Sequence, residues 1–221
     1  MNIDRLMIKG PADADFVPVD DMFGFYLKWR KLTAPKQKES YDDIPGMNGS
    51  LDSTEEYGEI FYNMRLLALD CVHPNSDWYE DYQRFMNAYH AQDVKIAFSN
   101  DPEYYWAGRL SVSEYDAKSR SIIMSALVYP YKFRRLLTRV SASVTTTETV
   151  KLTNGRMKVV PDVTFSAPVT LAWGTYTKAL SASTYPATVR IAGLELLPNS
   201  SVSVTITGAA DVTFSYREGA L

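Results

Sequence analysis

The sequence has a single cysteine, Cys71, and only two histidines among its 221 residues. An intrachain disulfide is therefore excluded, and a zinc site of Cys and His ligands lacks the residues it needs. Cys71 lies inside the apolar stretch LLALDCV, which favours a small buried side chain over a catalytic thiol. Because His73 and His90 have no metal-ligating partner at short spacing, no metal centre is predicted.

Long apolar runs and an excess of positive charge are missing as well. No run approaches the length needed to cross a bilayer, and the first ten residues lack the apolar core of a signal peptide. The net charge of −3 gives no electrostatic basis for a nucleic-acid partner. We therefore expect a protein that is made in a cytosol and that has neither nucleic acid nor a membrane as its partner.

Motifs of common catalytic chemistry are also missing. The chain has no Walker loop, dinucleotide fingerprint, G-x-S-x-G elbow or H-E-x-x-H helix. Five acidic pairs could in principle include the two carboxylates of a glycosidase: Asp13/Asp15, Asp20/Asp21, Asp42/Asp43, Glu55/Glu56 and Glu80/Asp81. Nothing selects one pair, and solvated surface explains each of them. The sequence predicts no enzyme, no catalytic residue and no cofactor.

What the chain does have is a sharp change of composition near residue 136. Residues 1–135 carry 37 of the 49 charged side chains and 22 of the 28 aromatic ones, whereas residues 136–221 carry 24 of the 36 serines and threonines. We expect two domains with these bounds, 1–135 and 136–221. The second reads as short antiparallel strands, because β-branched side chains fit a pleated surface, and as a small β-sandwich.

Local patterns place elements within both halves. VKLTNGRMKVV (150–160) predicts a hairpin with a type I′ turn at Asn154-Gly155. FGFYLKWRKL (23–32) and EIFYNMRLLALDCV (59–72) are strand-like, and residues 94–115 read as two strands around an Asp-Pro turn. One helix is predicted after a cap at Ser76 or Asp77, with an apolar stripe that favours core packing: Trp78, Tyr82, Phe85, Met86 and Tyr89.

The segment IPGMNGSLD (44–52) is rich in turn residues. Pro45-Gly46 suits a type II turn, Asn48-Gly49 a second reversal, and Ile44 and Leu51 anchor the ends. Asp52, or Ser53 with Glu56, is placed to cap a short helical turn. A phosphate-binding loop is disfavoured, because no Lys or Arg lies between Lys38 and Arg65. A shaped connector is the favoured interpretation.

The order of these motifs resembles one protein family. A strand such as FGFYLKWRKLTAP, then IPGMNGSLD, an aromatic helix, NDPEYYWAGRL and ALVYPYKF follow one another across residues 20–135. This order is similar to that of the distal tail proteins of long, non-contractile-tailed bacteriophages and related prophages. The closing segment LLPNSSVSVTITGAADVTFSYREGAL fits the family's last strands more loosely.

The resemblance implies a mainly β fold and an architectural role. The N-terminal half would be a β-sandwich-like domain with one α-helix and a β-hairpin, and the C-terminal half a small galectin-like β-sandwich. Such proteins form a homo-hexameric ring at the virion tail tip, between the tail tube protein and the tail-associated protein, and their C-terminal domain can serve as a docking site for receptor-binding protein. The protein would be synthesised in the cytoplasm of the bacterial host.

A ring needs two different patches that meet head to tail. Aromatic residues and arginine are enriched in interface cores, so Tyr104, Tyr105 and Arg109 of EYYWAGRL and the pair Arg134-Arg135 are candidates. The loop residues Ile44, Pro45, Gly46, Gly49, Leu51 and Asp52 are expected at the edge of the same domain. An ordinary core with a solvated basic pair explains the tyrosines and arginines equally well.

A second hypothesis is a carbohydrate-binding module that recognises host-wall polysaccharide through the C-terminal β-sandwich. Such sites need an exposed aromatic ring beside polar groups. Trp173, in LAWGTY, is the last tryptophan of the chain and therefore the candidate contact. Its apolar neighbours favour a position in the sandwich core instead.

Overall fold

The computed structural model describes residues 4–39, 41–43, 45, 48–52 and 62–221, without the side chains of residues 42, 51 and 52. The chain forms two compact units, Met1–Lys132 and Phe133–Leu221. The predicted mainly β class is confirmed. The elements of the first unit are β1 (Leu6–Lys9), β2 (Val17–Pro18), α1 (Val19–Phe23), β3 (Tyr26–Leu32), β4 (Tyr41–Asp42), β5 (Leu51–Asp52), β6 (Arg65–Val72), α2 (Trp78–Tyr89), β7 (Asp93–Phe98), β8 (Asp101–Asp116) and β9 (Ser121–Val128).

The first unit is organised around one antiparallel sheet. Its strand order is β2-β1-β7-β8-β9-β6-β3, and β4 pairs with β5 as a separate two-stranded sheet. The sheet curls, because Arg30 of β3 reaches residues near the opposite end: its Nη2 lies 3.0 Å from the Asn100 Oδ1 and 3.2 Å from an Asp4 carboxylate oxygen. Its guanidinium also lies over the Phe98 ring, 3.8 Å from the centroid. One core therefore fills the inside of the curl.

The helix α2 covers the inner face of this sheet. As predicted, it carries an aromatic stripe, of which Trp78, Phe85 and Tyr89 are buried. The strands show the matching alternation, since Ile122, Met124 and Ala126 of β9 are almost fully buried while their neighbours are not. Cys71 is also fully buried in this core, which confirms its interpretation as a small apolar side chain. Burial raises the pKa of its thiol, so it is a poor nucleophile.

The second unit is a sandwich of two four-stranded sheets. After β10 (Lys132–Arg134) at the boundary, its strands are β11 (Thr138–Val144), β12 (Thr147–Thr153), β13 (Asp162–Phe165), β14 (Val169–Trp173), β15 (Tyr176–Leu180), β16 (Ala187–Arg190), β17 (Ser201–Thr207), β18 (Ala210–Tyr216) and β19 (Gly219–Ala220). The sheets are β11-β18-β13-β16 and β12-β17-β14-β15. Both contribute to one core, for example Phe214 from the first sheet and Leu171 from the second.

The hairpin predicted at residues 150–160 is wrong. The strand β12 ends at Thr153 and pairs in seven positions with β17 instead of with the residues that follow it. The Asn154 side chain stabilises the segment that follows β12, because its Nδ2 donates to the carbonyls of Met157 at 2.7 Å and Leu196 at 2.8 Å. Pairing with a distant strand therefore overrides the local turn signal.

The turn between α1 and β3 packs closely against His73, which precedes α2, in the first unit. Gly24 ends α1 with a φ of 69°, and a Cβ there would lie 2.3 Å from the His73 Nε2. His73 is buried; its Nε2 lies 3.2 Å from the Asp81 Oδ2, and its Nδ1 accepts a hydrogen bond from the Asn75 N–H. The predicted strand at residues 23–32 therefore begins only at Tyr26, after this turn.

We predict that Gly24→Ala lowers the free energy of unfolding of the first unit by about 2–4 kcal/mol, because the left-handed conformation and the contact with His73 both oppose a Cβ. Urea unfolding followed by circular dichroism measures it. Gly174→Ala has a similar φ of 54° but open space around it, and should cost its unit only ~1 kcal/mol. The double variant Gly24→Ala/His73→Ala should lose less than the sum of the single variants; strict additivity would contradict the contact.

A second prediction concerns alkaline pH. The Tyr89 hydroxyl donates to the Asp13 Oδ2 at 2.9 Å, and burial together with this carboxylate raises the pKa of Tyr89 above its ordinary value. The folded state therefore favours the neutral phenol, and its stabilisation is complete below about pH 10 and is lost as the pH rises towards the raised pKa. Tyr89→Phe should lower the free energy of unfolding by ~1 kcal/mol at pH 8. In urea titrations above pH 10, the free energy of unfolding of this variant should decline less steeply than that of the wild type. The exposed Tyr176→Phe should do neither.

Candidate functional site

Between β3 and β6 the described residues 33–39, 41–43, 45, 48–52 and 62–64 form a two-stranded excursion, which we call the arm. Its base keeps the β3–β6 register: the Thr33 N–H donates to the Leu66 carbonyl, the Asn63 N–H donates to the Lys36 carbonyl at 2.8 Å, and Gln37 is bridged to Tyr62. The pair β4–β5, with Tyr41 opposite Asp52, follows further along. The arm therefore continues the β3–β6 pair beyond Arg65, where the pairing with β9 begins.

The predicted loop lies on this arm. Pro45 and Gly49 are exposed, and Gly49 has a φ of 85° with open space around it, in agreement with a reversal at Asn48-Gly49. Leu51 and Asp52 form β5, and the helical turn that Asp52 is predicted to cap lies outside the described residues. Ile44 and Gly46, and with them the predicted type II turn, lie outside the described residues, as do Ser53 and Glu56.

The candidates on β8 have separate surroundings. Tyr105 is buried, and its ring centroid lies 5.8 Å from that of Phe16. Tyr104 is half-buried beneath the Lys132 ammonium, which lies 4.5 Å from the ring centroid. Arg109 is exposed, and its Nε lies 3.2 Å from the Asp93 Oδ1. Tyr105 thus fits the core interpretation, whereas Arg109 remains available to a partner at the surface.

The pair Arg134-Arg135 is engaged within the second unit. The Arg134 N–H donates to the Glu218 carbonyl at 2.9 Å, and its Nη1 lies 3.5 Å from the Glu218 Oε1. Arg217 donates to the carbonyls of both arginines. These contacts join Arg217 and Glu218 to the segment that leads into β11, so both arginines have a structural role. Their role in an interface stays a prediction.

Trp173 lies in the sandwich core and not on its surface. Its side chain is 8% exposed, its Nε1 donates to the Gly193 carbonyl at 3.0 Å, and Tyr176 stacks on it at a centroid distance of 5.9 Å. A sugar platform needs an exposed ring face. The candidate sugar contact is therefore wrong, because the indole is buried and its donor is already used.

No group of three or more His, Cys, Asp or Glu side chains in the described part of the chain is arranged to hold a metal ion. None of the helices in that part has the length and apolar character that a membrane span requires.

Sequence reasoning missed an apolar surface on the outer face of the first sheet. Leu66 and Leu127 are paired across β6 and β9 and are 46% and 52% exposed. Trp29, opposite Asp70 on β3, is 42% exposed. The alternation in these strands predicts which residues share a face but not whether that face is covered.

The comparisons with known proteins identify the fold. No family model matches the chain, and no curated protein matches its sequence. The crystal structure of SPP1 Dit, a hub protein of the adsorption apparatus of phages that infect Gram-positive hosts, aligns with a TM-score of 0.64 over 96% of this chain and 98% of that chain, at 13% identity. The chain has the Dit fold. The predicted resemblance is thereby confirmed at the level of the fold.

Two further structures align over nearly the full length with lower scores. They are the phage P2 baseplate in its activated conformation with Ca, at a TM-score of 0.40 and 7% identity, and with Sr, at 0.44 and 5%. They cover 99% and 97% of this chain, and 99% and 98% of the respective chains. Scores at this level do not extend the assignment beyond the Dit fold.

We predict that Trp173→Ala lowers the free energy of unfolding of the sandwich by about 3–5 kcal/mol, because it leaves a large cavity and an unused acceptor at Gly193. Denaturant unfolding measures the loss. The neighbouring Tyr176→Ala removes a ring that is 62% exposed and should cost less than ~1.5 kcal/mol. Equal losses for the two variants, or a wild-type glycan affinity that only Trp173→Ala abolishes, would contradict the core assignment.

Proposed function

We propose that the chain is a structural hub protein of a phage or prophage tail tip. The observation that carries the proposal is the Dit fold over almost the full length of both chains, so that both units have a counterpart in SPP1 Dit. In this proposal the N-terminal domain, residues 1–135, assembles into a homo-hexameric ring, and the galectin-like domain, residues 136–221, presents a docking surface.

The proposed partners follow from this position. The ring joins the tail tube protein to the tail-associated protein, and a receptor-binding protein docks on the second domain. The protein is synthesised in the cytoplasm of the bacterial host and ends in the virion tail tip. Its role is mechanical and is not enzymatic, so no cofactor takes part.

The outer faces of the sandwich support a docking surface of polar character. Ser141, Thr213, Thr164 and Thr188 form one row across the four strands of the first sheet. Within it the Ser141 and Thr213 hydroxyls lie 2.9 Å apart, and those of Thr164 and Thr188 2.8 Å apart. Such a face is flat and well hydrated, which suits a reversible polar contact better than a buried hydrophobic one.

The proposal predicts a particle of about 150 kDa, six times the chain mass of 24.9 kDa, in mass photometry or light scattering. The protein should be measured alone and together with the products of the adjacent genes, because some rings close only on a partner. Ring-shaped particles in negative-stain images and antibody labelling at the tail tip are the expected outcomes. A monomer under every condition, without incorporation into tails, would refute the proposal.

A further inference from the structure

The first turns of α2 and the end of β8 carry an exposed aromatic surface. We call Trp78, Tyr79, Tyr82 and Tyr115 the aromatic cluster. Trp78 forms its base: this residue is only 6% exposed, and its ring centroid lies 5.7–6.1 Å from those of the three tyrosines. Tyr79 and Tyr115 are 51% and 54% exposed, and the Tyr82 ring contacts both of them. The cluster therefore has a buried base and an open outer side.

A β-bulge in β8 brings Tyr115 to this cluster. Leu110 and Val112 pack on the core side of the sheet, and the register between β8 and β9 then shifts between Val112 and Glu114. The extra residue puts Tyr115 opposite the fully buried Ile122, on the side of the sheet that α2 covers. Without it, Glu114 would take that position. Bulges that redirect a side chain in this way are common beside functional sites.

The phenol hydroxyls of the cluster are available to a ligand. Those of Tyr79, Tyr82 and Tyr115 have no hydrogen-bond partner among the described residues. Burial, together with the neighbouring Tyr115 and Tyr79 phenols, raises the pKa of Tyr82. Its hydroxyl therefore stays protonated and can both donate and accept a hydrogen bond. The open side of the cluster thus combines aromatic rings with unused polar groups.

The ring geometry limits what the cluster can bind. The centroids of Tyr79 and Tyr82 are 5.8 Å apart with an interplanar angle of 33°, and those of Tyr82 and Tyr115 are 5.2 Å apart with an angle of 39°. Rings at these distances touch each other, so a trimethylammonium group or a proline ring finds no gap between them. A ligand must instead lie on the outward ring faces. A pyranose ring suits them, because its axial C–H bonds form a weakly positive face that packs on the negative face of an aromatic ring.

The charges around the cluster favour a neutral ligand. Residues 75–82 and 113–116 together contain five acidic side chains and no lysine or arginine. Arg84, further along α2, is already paired with Asp81 at 2.8 Å. A phosphorylated or carboxylated polysaccharide would therefore be repelled, whereas an uncharged one would not.

We propose that the aromatic cluster binds a neutral saccharide. Pyranose rings pack on Tyr79 and Tyr115, and the sugar hydroxyls form hydrogen bonds with the phenols of the cluster. The inference goes beyond the proposed hub role, because it gives the first unit a ligand of its own. It uses neither the sandwich nor Trp173, and it holds whether or not the chain forms a ring.

Titration of the full-length protein with defined oligosaccharides tests the site. The neutral probes are hexamers of glucose, galactose and N-acetylglucosamine, and hexagalacturonate is the charged counterpart. The measured quantity is the dissociation constant in isothermal titration calorimetry. At least one neutral hexamer should bind, and hexagalacturonate should bind more weakly than that hexamer. In saturation-transfer NMR, irradiation of the aromatic ring protons should reach the C–H protons of the bound sugar.

Substitutions locate the bound sugar on the cluster. Tyr79→Ala and Tyr115→Ala should each weaken binding about fivefold, because each removes one ring face. Tyr79→Phe and Tyr115→Phe keep the ring and lose only the hydroxyl, so each should weaken binding about threefold. Tyr26→Ala and Tyr176→Ala remove rings that are 44% and 62% exposed but lie outside the cluster, and both should bind like the wild type. Circular dichroism checks that each variant is folded.

The outcomes separate this inference from the proposed function. The inference is overturned if no neutral hexamer binds at millimolar concentration, if hexagalacturonate binds more tightly, or if Tyr79→Ala and Tyr115→Ala bind like the wild type. It is also overturned if a product of the adjacent genes binds the wild type and not Tyr79→Ala, because a protein then occupies the cluster. Both alanine variants should give the particle mass of the wild type in mass photometry. A failure of the ring would therefore refute the proposed function and leave the saccharide site intact.

Discussion

The first unit depends on the packing of one aromatic helix against one face of a curled sheet. Phe85 of α2 lies within 5.4 Å of Phe23 and 6.1 Å of Phe25, measured between ring centroids, so the helix also fixes the segment that leads into β3. A sheet with a single covering helix has only one buried face. The other face must be polar or be covered by something else, and here Leu66 and Leu127 make it partly apolar.

Much of the fold could be predicted from local patterns, since helical spacing located α2 and the alternation of β-branched residues indicated the sandwich. The order of the turn and aromatic motifs indicated the Dit fold, although no single motif did. The hairpin at Asn154-Gly155 failed because β12 prefers β17 across seven pairs, a long-range choice that a turn signal does not encode. The exposure of Leu66 and Leu127 could not be predicted, because alternation identifies two faces but not the one that a helix covers. The junction of Gly24 with His73 likewise depends on residues that are distant in sequence.

The outer faces of the two units therefore differ in their chemistry. In the sandwich, outward-facing hydroxyls satisfy one another across strands, as Thr149 and Thr205 do at 3.0 Å. The first unit retains exposed leucines, a tryptophan on an open edge strand and a buried carboxylate oxygen without a donor. The exposed apolar side chains are stabilised once a complementary surface covers them, whereas the buried Asp70 oxygen is out of reach of such a surface.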